Sequence, residues 1–214
     1  MKTIVSLCSG TGSWERPYVE DGYEVIPVTL PDNDVLTWKL PKKSIYGILA
    51  APPCTMFSNA RTNTKNPRDL RQGMEIVQAC LNLIYECQYR TKNDQQKYSP
   101  LAFWVLENPW YGRLKWFLGW PVFVFSPWEF GDAYKKETAL WGYFNEPVRT
   151  HKKITDIMTL QQIEDAKTNS QVLPKFDAMK SKDIHPEQFG IYDTTTRRSI
   201  TPAGFAKAFF EANP

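Results

Sequence analysis

The sequence is poor in cysteine and histidine, and it lacks long apolar runs. Its four cysteines, Cys8, Cys54, Cys80 and Cys87, and its two histidines, His151 and His185, form no C-x-x-C pair and give little support to a zinc site, so no metal is expected. Thiols without paired spacing, in a chain with no export signal, are expected to be reduced, in a cytoplasmic compartment or a host's cytoplasm if the protein is viral. Apolar stretches such as Ile48 to Ala51 and Phe103 to Leu106 fall far short of the roughly 20 residues a bilayer span needs, so no membrane partner is expected. The opening residues, Met1 to Cys8, lack the longer apolar core and cleavage site of a secretion signal and read as a first strand. Excess charge of one sign is missing too. Lys and Arg total 26 against 23 Asp and Glu, a net charge of +3, with a pI near 8.6. That balance is compatible with a polyanionic partner without requiring one. No internal repeat or low-complexity tract is visible.

With 214 residues, 42% of them hydrophobic, the chain can bury one sizeable core, and a single domain over residues 1–214 is expected. Short apolar runs rich in β-branched residues read as buried strands at Thr3 to Leu7, Glu24 to Val28, Tyr46 to Ala50, Phe103 to Leu106 and Val122 to Phe125. Their alternation with helical patterns predicts an α/β fold with a mostly parallel sheet. Ser13 is a candidate cap for a helix ending near Asp21 and stopped by Gly22. Asn66 and Pro67 mark the start of a second helix, with Met74, Val77, Leu81, Ile84 and Gln88 on one face and Cys80 and Cys87 as core thiols. Residues Lys92 to Ser99 read as a surface loop. Thr201 and Pro202 open a closing helix with Phe205, Phe209 and Ala212 on one stripe. The stretch from about 145 to 196 is polar and weakly periodic.

Three segments carry chemistry. Ser9-Gly10-Thr11-Gly12 follows the first strand, where glycines let backbone approach a ligand, although a plain tight turn accounts for it as well. Pro52-Pro53-Cys54 ends another strand. Two prolines fix the chain just before a thiol, the most nucleophilic side chain at neutral pH; a structural cysteine after a proline turn is the alternative. Glu107-Asn108-Pro109 follows the fourth run and places a carboxyl group at the same sheet edge, to exchange a proton with a ring nitrogen or to cap nearby amides.

In this order, each at a strand end, the three segments resemble the cytosine-5 DNA methyltransferase family, as a compact, phage-like member. Asp34 in Asn33-Asp34-Val35-Leu36-Thr37, Phe130-Gly131-Asp132 leading into Lys136, and Arg197-Arg198-Ser199-Ile200-Thr201-Pro202 extend the match, which spans residues 3–144 and 197–210. The resemblance implies a Rossmann-like methyltransferase fold, S-adenosylmethionine as cofactor and cytosine in DNA as substrate. Cys54 then takes the place of the nucleophile that adds to cytosine carbon 6, Glu107 that of the group bonding N3 and the exocyclic amine, and Lys136 that of a cationic contact to the base. Cys8, Ser9, Gly10, Thr11, Gly12, Thr29, Asp34 and Pro52 line the cofactor side, with Pro53, Ser58, Asn108 and Pro109 on the substrate side.

The chain departs from the family at three of these positions. Cys8 replaces an aromatic residue, Thr29 an acidic one with Asp32 close by, and Lys136 an arginine. The 145–196 stretch is too short for a full target-recognition domain, so low selectivity or a separate specificity partner is expected. Modification of a free cytidine nucleotide or single-stranded nucleic acid, with or without an altered sulfonium cofactor, and a catalytically silent DNA-binding or regulatory protein, are the competing readings. Basic residues Arg61, Lys65, Arg68 and Arg71 after the Cys54 loop are candidate phosphate contacts.

Overall fold

Runs of apolar residues that alternate faces make the centre of this protein a sheet. The computed structural model describes all residues except 60, 62–65, 94–98, 161–162 and 165–190. Lys65, His185 and most of the 145–196 stretch therefore lie outside the described residues. Strands β1 (Thr3–Leu7), β2 (Glu24–Val28), β3 (Gly47–Ala50), β4 (Phe103–Pro109), β5 (Phe123–Phe125) and β6 (Thr138–Tyr143) form one sheet in the order β2-β1-β3-β4-β6-β5. The first four are parallel, β6 runs antiparallel to β4, and β5 antiparallel to β6, so β6 alone opposes the common direction. This is the mostly parallel α/β sheet predicted.

Helices cover both faces. Strand residues alternate between them, as a period of two requires. Val5, Leu7, Ile48, Ala50 and Leu106 face α2 (Leu70–Asn93), which contributes Val77, Cys80, Ile84 and Cys87. Ile4, Leu49, Phe103, Val105 and Leu140 share the opposite cluster with Trp14, with Tyr18 of α1 (Arg16–Glu20) and with Phe205 and Phe209 near the end of the chain. That second layer is aromatic: Phe125 and Phe205 stack with centroids 3.8 Å apart, and Trp14 meets Phe209 edge-on at 5.6 Å. Truncating a buried ring of this kind costs about 3–5 kcal/mol. Gly47 makes room for it, since a Cβ there would lie 2.3 Å from the Phe103 ring.

The shorter helices are α3 (Lys115–Leu118), α4 (Thr194–Ser199) and α5 (Ala203–Ala212). The closing helix follows Pro202 as predicted. Other boundaries differ. Ser13 does not cap α1; its Oγ accepts from the Thr201 amide at 2.9 Å and so ties the glycine loop to the end of the chain. The first turn of α2 is held by Asp69, three residues after Asn66, whose Oδ1 accepts from Gln72 N–H at 2.9 Å. The buried face of α2 is centred on Cys80 and Cys87, with Met74, Leu81 and Gln88 only half-buried, because small thiols fit where the helix lies nearest the sheet. Helix α2 also continues into the predicted 92–99 loop. Strand β6 was not among the runs read from the sequence. Among the described residues no helix is long and apolar enough to cross a membrane.

Candidate active site

The chain leaves β1, passes through α1 to β2 on one side, and returns to β3 on the other. The rim beyond β1 and β3 is therefore a topological switch point, where open α/β sheets bind ligands. Cys8 is tied by its N–H to Val28 O at 2.7 Å, and Ala51 by its N–H to Leu7 O at 3.0 Å, so the three strand ends stay in register as they open. Cys8 (φ +57°), Gly10 (φ +57°) and Gly12 (φ +72°) are all left-handed. Glycine adopts this conformation freely, whereas cysteine is strained in it. A turn closed by Gly12 N–H on Ser9 O at 3.1 Å follows, with Thr11 Oγ1 donating to Ser13 at 3.2 Å. Thr29 lies just past β2. Asp34 organises the next turn, its Oδ1 accepting from Leu36 N–H at 3.0 Å.

Under this loop lies a carboxylate that the sequence reading did not single out. Glu15 is 5% exposed, its Oε2 has no hydrogen-bond partner, and its Oε1 is 3.6 Å from where a Gly12 side chain would begin. Burial pushes its pKa up, against backbone and Ser6 hydrogen bonds that pull it down. A buried acid with one unpartnered oxygen beside a glycine turn suits a cationic ligand. The Cys8 thiol has its pKa lowered by a hydrogen bond from Cys80, against burial and the nearby Asp34 charge. Asp32 is exposed.

On the other half of the rim, Pro52 and Pro53 lead into a 3₁₀ turn over Cys54–Met56. Phe57 and Ser58 donate their amides to Cys54 O at 2.9 and 2.7 Å, and Phe57 is buried beneath, leaving Cys54 exposed. Arg61 and Arg68 brace this loop: Arg61 Nη1 reaches Met56 Sδ at 2.9 Å, and Arg68 Nη1 donates to Met56 O at 3.1 Å. Two of the predicted phosphate contacts are thus engaged on the loop's own atoms, while Arg71 is largely exposed beside Glu75.

Glu107 does not follow a strand, as predicted; β4 continues through Pro109, with Glu107 opposite Leu140 and Pro109 opposite Thr138 of β6. The extension needs β6 as a partner, which is why a reading without β6 ended the strand early. Asn108 is fully buried and donates Nδ2 to Pro52 O at 2.9 Å, so it pins the Cys54 loop to the Glu107 strand. Lys136 stands two residues before Thr138, whose Oγ1 donates to Lys136 O at 2.8 Å.

The register explains the convergence: Ala50 pairs Leu106, so the turn carrying Cys54 leaves β3 level with Glu107, near enough for the Glu107 charge to act on the thiol. The Cys54 side chain is open, yet the surrounding protein removes enough solvation to push the thiol's pKa up; Glu107 pushes it further, while Lys136 and Arg198 pull it down. Burial raises the Glu107 pKa, and Lys136 opposes it. Lys136 therefore acts on both groups. Arg198 enters because α4 docks on the glycine loop, with Ser199 Oγ 3.9 Å from a Cβ placed on Gly10. Its sequence signal was the Arg197-Arg198 block, which gave no distance to Cys54.

A cavity of about 730 Å³ opens between α1 and α5, lined by Thr11, Ser13, Arg16, Tyr134 and Thr201 among others; neither Cys54 nor Glu107 lines it. Among the described residues no group of His, Cys, Asp and Glu could hold a metal ion. No protein-family model matches the chain, and no curated protein matches it either.

Proposed function

We propose that this protein transfers a methyl group to carbon 5 of cytosine in DNA, with Cys54 as nucleophile. The supporting observation is that Cys54, in the turn after β3, and Glu107, on the neighbouring strand β4, stand within electrostatic reach of each other and of Lys136. A carboxyl group kept protonated above the ordinary carboxylate range donates a hydrogen bond to cytosine N3 and draws electron density from the ring. The Cys54 sulfur, as thiolate, adds to carbon 6 and makes carbon 5 nucleophilic; once carbon 5 carries the methyl group, loss of its proton to solvent expels Cys54 as thiolate and restores the ring. Lys136 and Arg198 stabilise that thiolate, and Asn108 fixes its distance from Glu107. S-adenosylmethionine, when bound, supplies the electrophilic methyl group, and Glu15 beneath the glycine loop offers its positive charge a counter-ion. These ring atoms are hidden in a duplex, so the base leaves the stack to reach the open thiol.

The test supplies methyl-labelled S-adenosylmethionine with duplex DNA, single-stranded DNA or free cytidine nucleotide. Label is expected on DNA and is expected to fall by roughly four orders of magnitude or more in Cys54→Ser. Label on the free nucleotide alone would make this a small-molecule enzyme. DNA binding without any transfer would make it a silent binding protein.

A further inference from the structure

We propose that the tryptophan shelf of residues 110–120, beside the Cys54 loop, is a docking surface for a single-stranded stretch of DNA. The inference rests on the reading of Cys54 as a DNA-modifying thiol, and names the form of DNA it takes. Most phenylalanines fill the core and, among the described residues, the exposed rings outside the shelf are tyrosines, but here Trp116 is 67% exposed and Trp120 82% exposed. Hydrogen bonds fix the shelf to the site. Trp110 N–H donates to Glu137 O at 2.9 Å, Arg113 N–H to Phe57 O at 3.0 Å, and Trp141 Nε1 to Gly119 O at 3.0 Å. Asn59, from the Cys54 loop, bonds Tyr111 O.

Its charge is of one sign. Residues 110–122 contain Arg113 and Lys115 and no acid. Lys115 Nζ lies 4.0 Å over the Trp110 ring and the Arg113 guanidinium 5.4 Å from the Trp116 ring. Arg61 and Arg68, both bonded to Met56, add two further guanidiniums on the Cys54 loop that Arg113 joins through Phe57 O. Exposed rings alternating with cations match a strand whose bases stack and whose phosphates carry the opposite charge. A paired duplex hides the base faces that such rings need, which favours the single strand. Trp110 and Trp120, 5.4 Å apart and inclined by 40°, present a second ring pair along the same edge.

The full chain is titrated with oligodeoxythymidylate, which contains no target base, by tryptophan fluorescence and anisotropy. Trp116→Ala and Trp120→Ala are each expected to weaken binding roughly tenfold, with Trp120→Phe recovering most of the loss and a duplex of the same length binding less tightly than the single strand. Lys115→Gln should flatten the salt dependence. Unchanged affinity in the double Trp→Ala variant would overturn the proposal. So would a concentration-dependent dimer that dissociates in that variant while oligonucleotide affinity stays the same, since the shelf would then join two copies of the chain. Because thymidylate carries no target base, its binding is read apart from catalysis: tryptophan-dependent binding of thymidylate, together with no methyl transfer to cytosine-containing DNA, would sink the enzyme reading alone. Transfer to single-stranded cytosine with an unchanged KM in the double variant would sink the shelf alone.

Discussion

Beyond β1 and β2 the backbone makes the site, with Cys8, Gly10 and Gly12 all left-handed; beyond β3 and along β4 side chains make it, with Cys54 and Glu107 both raised in pKa by burial, Glu107 raising Cys54 further, and Lys136 opposing both shifts. One half is a shaped cradle and the other a set of coupled charges. The two should therefore fail in different ways. A bulky substituent disturbs the cradle without altering the chemistry, and a lost charge retunes the chemistry without altering the cradle. Asn108, bonded to Pro52 O, and α4, resting on Gly10 with Arg198 reaching Cys54, are the links between them.

The largest expected effect breaks the cradle alone. Gly12→Val forces a β-branched residue into a left-handed conformation at a cost of about 1–2 kcal/mol and places atoms next to Glu15. S-adenosylmethionine affinity by calorimetry is expected to fall about tenfold or more, while the rate of Cys54 alkylation by iodoacetamide stays as in the parent. Equal losses in both would show that the halves are not separable.

A smaller effect tests the charged half. If activity requires protonated Glu107 and ionised Cys54, kcat/KM against pH is bell-shaped, with one limb set by each group. Lys136 lowers both pKa values. Lys136→Met should therefore move both limbs to higher pH and reduce the maximum. Limbs that stay in place would place Lys136 outside the coupled set.

The smallest effect concerns stability. A carboxyl group whose folded pKa is raised contributes no penalty below its ordinary range, near 4.3, and destabilises the fold as pH climbs through the raised value. Glu107→Gln removes that penalty. Its Tm should exceed the parent's by about 2–4 °C near neutral pH, for roughly 1 kcal/mol in a chain of this size, and the gain should vanish in acid. A lower Tm at neutral pH would mean that Lys136 more than repays the burial of this carboxylate.

Much of this was legible in the residues. The five predicted runs match β1 to β5 closely, and the closing helix follows Pro202, because β-branched runs and proline punctuation act locally. The Cys54 and Glu107 segments were legible for the same reason: each follows an apolar run that ends at a sheet edge. Strand β6 escaped because its sequence, Thr-Ala-Leu-Trp-Gly-Tyr, carries an interior glycine and few β-branched residues, and its place depends on pairing with β4 and β5. The Ser13 cap failed because Thr201, 188 residues away, takes the hydroxyl instead. Glu15 was passed over because a glutamate at a helix start looks like surface until the packing of Trp14 and the glycine loop closes over it.

The sequence by itself determined five of the six strands, that a thiol and a carboxyl group stand toward the same edge of the sheet, and that the cysteines on α2 face the core. Tertiary structure alone decided how those groups ionise, since a pKa depends on distance, burial and opposing charge. Lys136 and Arg198 come near Cys54 only through the antiparallel return of β6 and the docking of α4. It also decided that one set of tryptophans stays on the surface while the phenylalanines of the opposite face close around each other. Ring exposure is set by which face of the sheet is already covered, and no single segment encodes that.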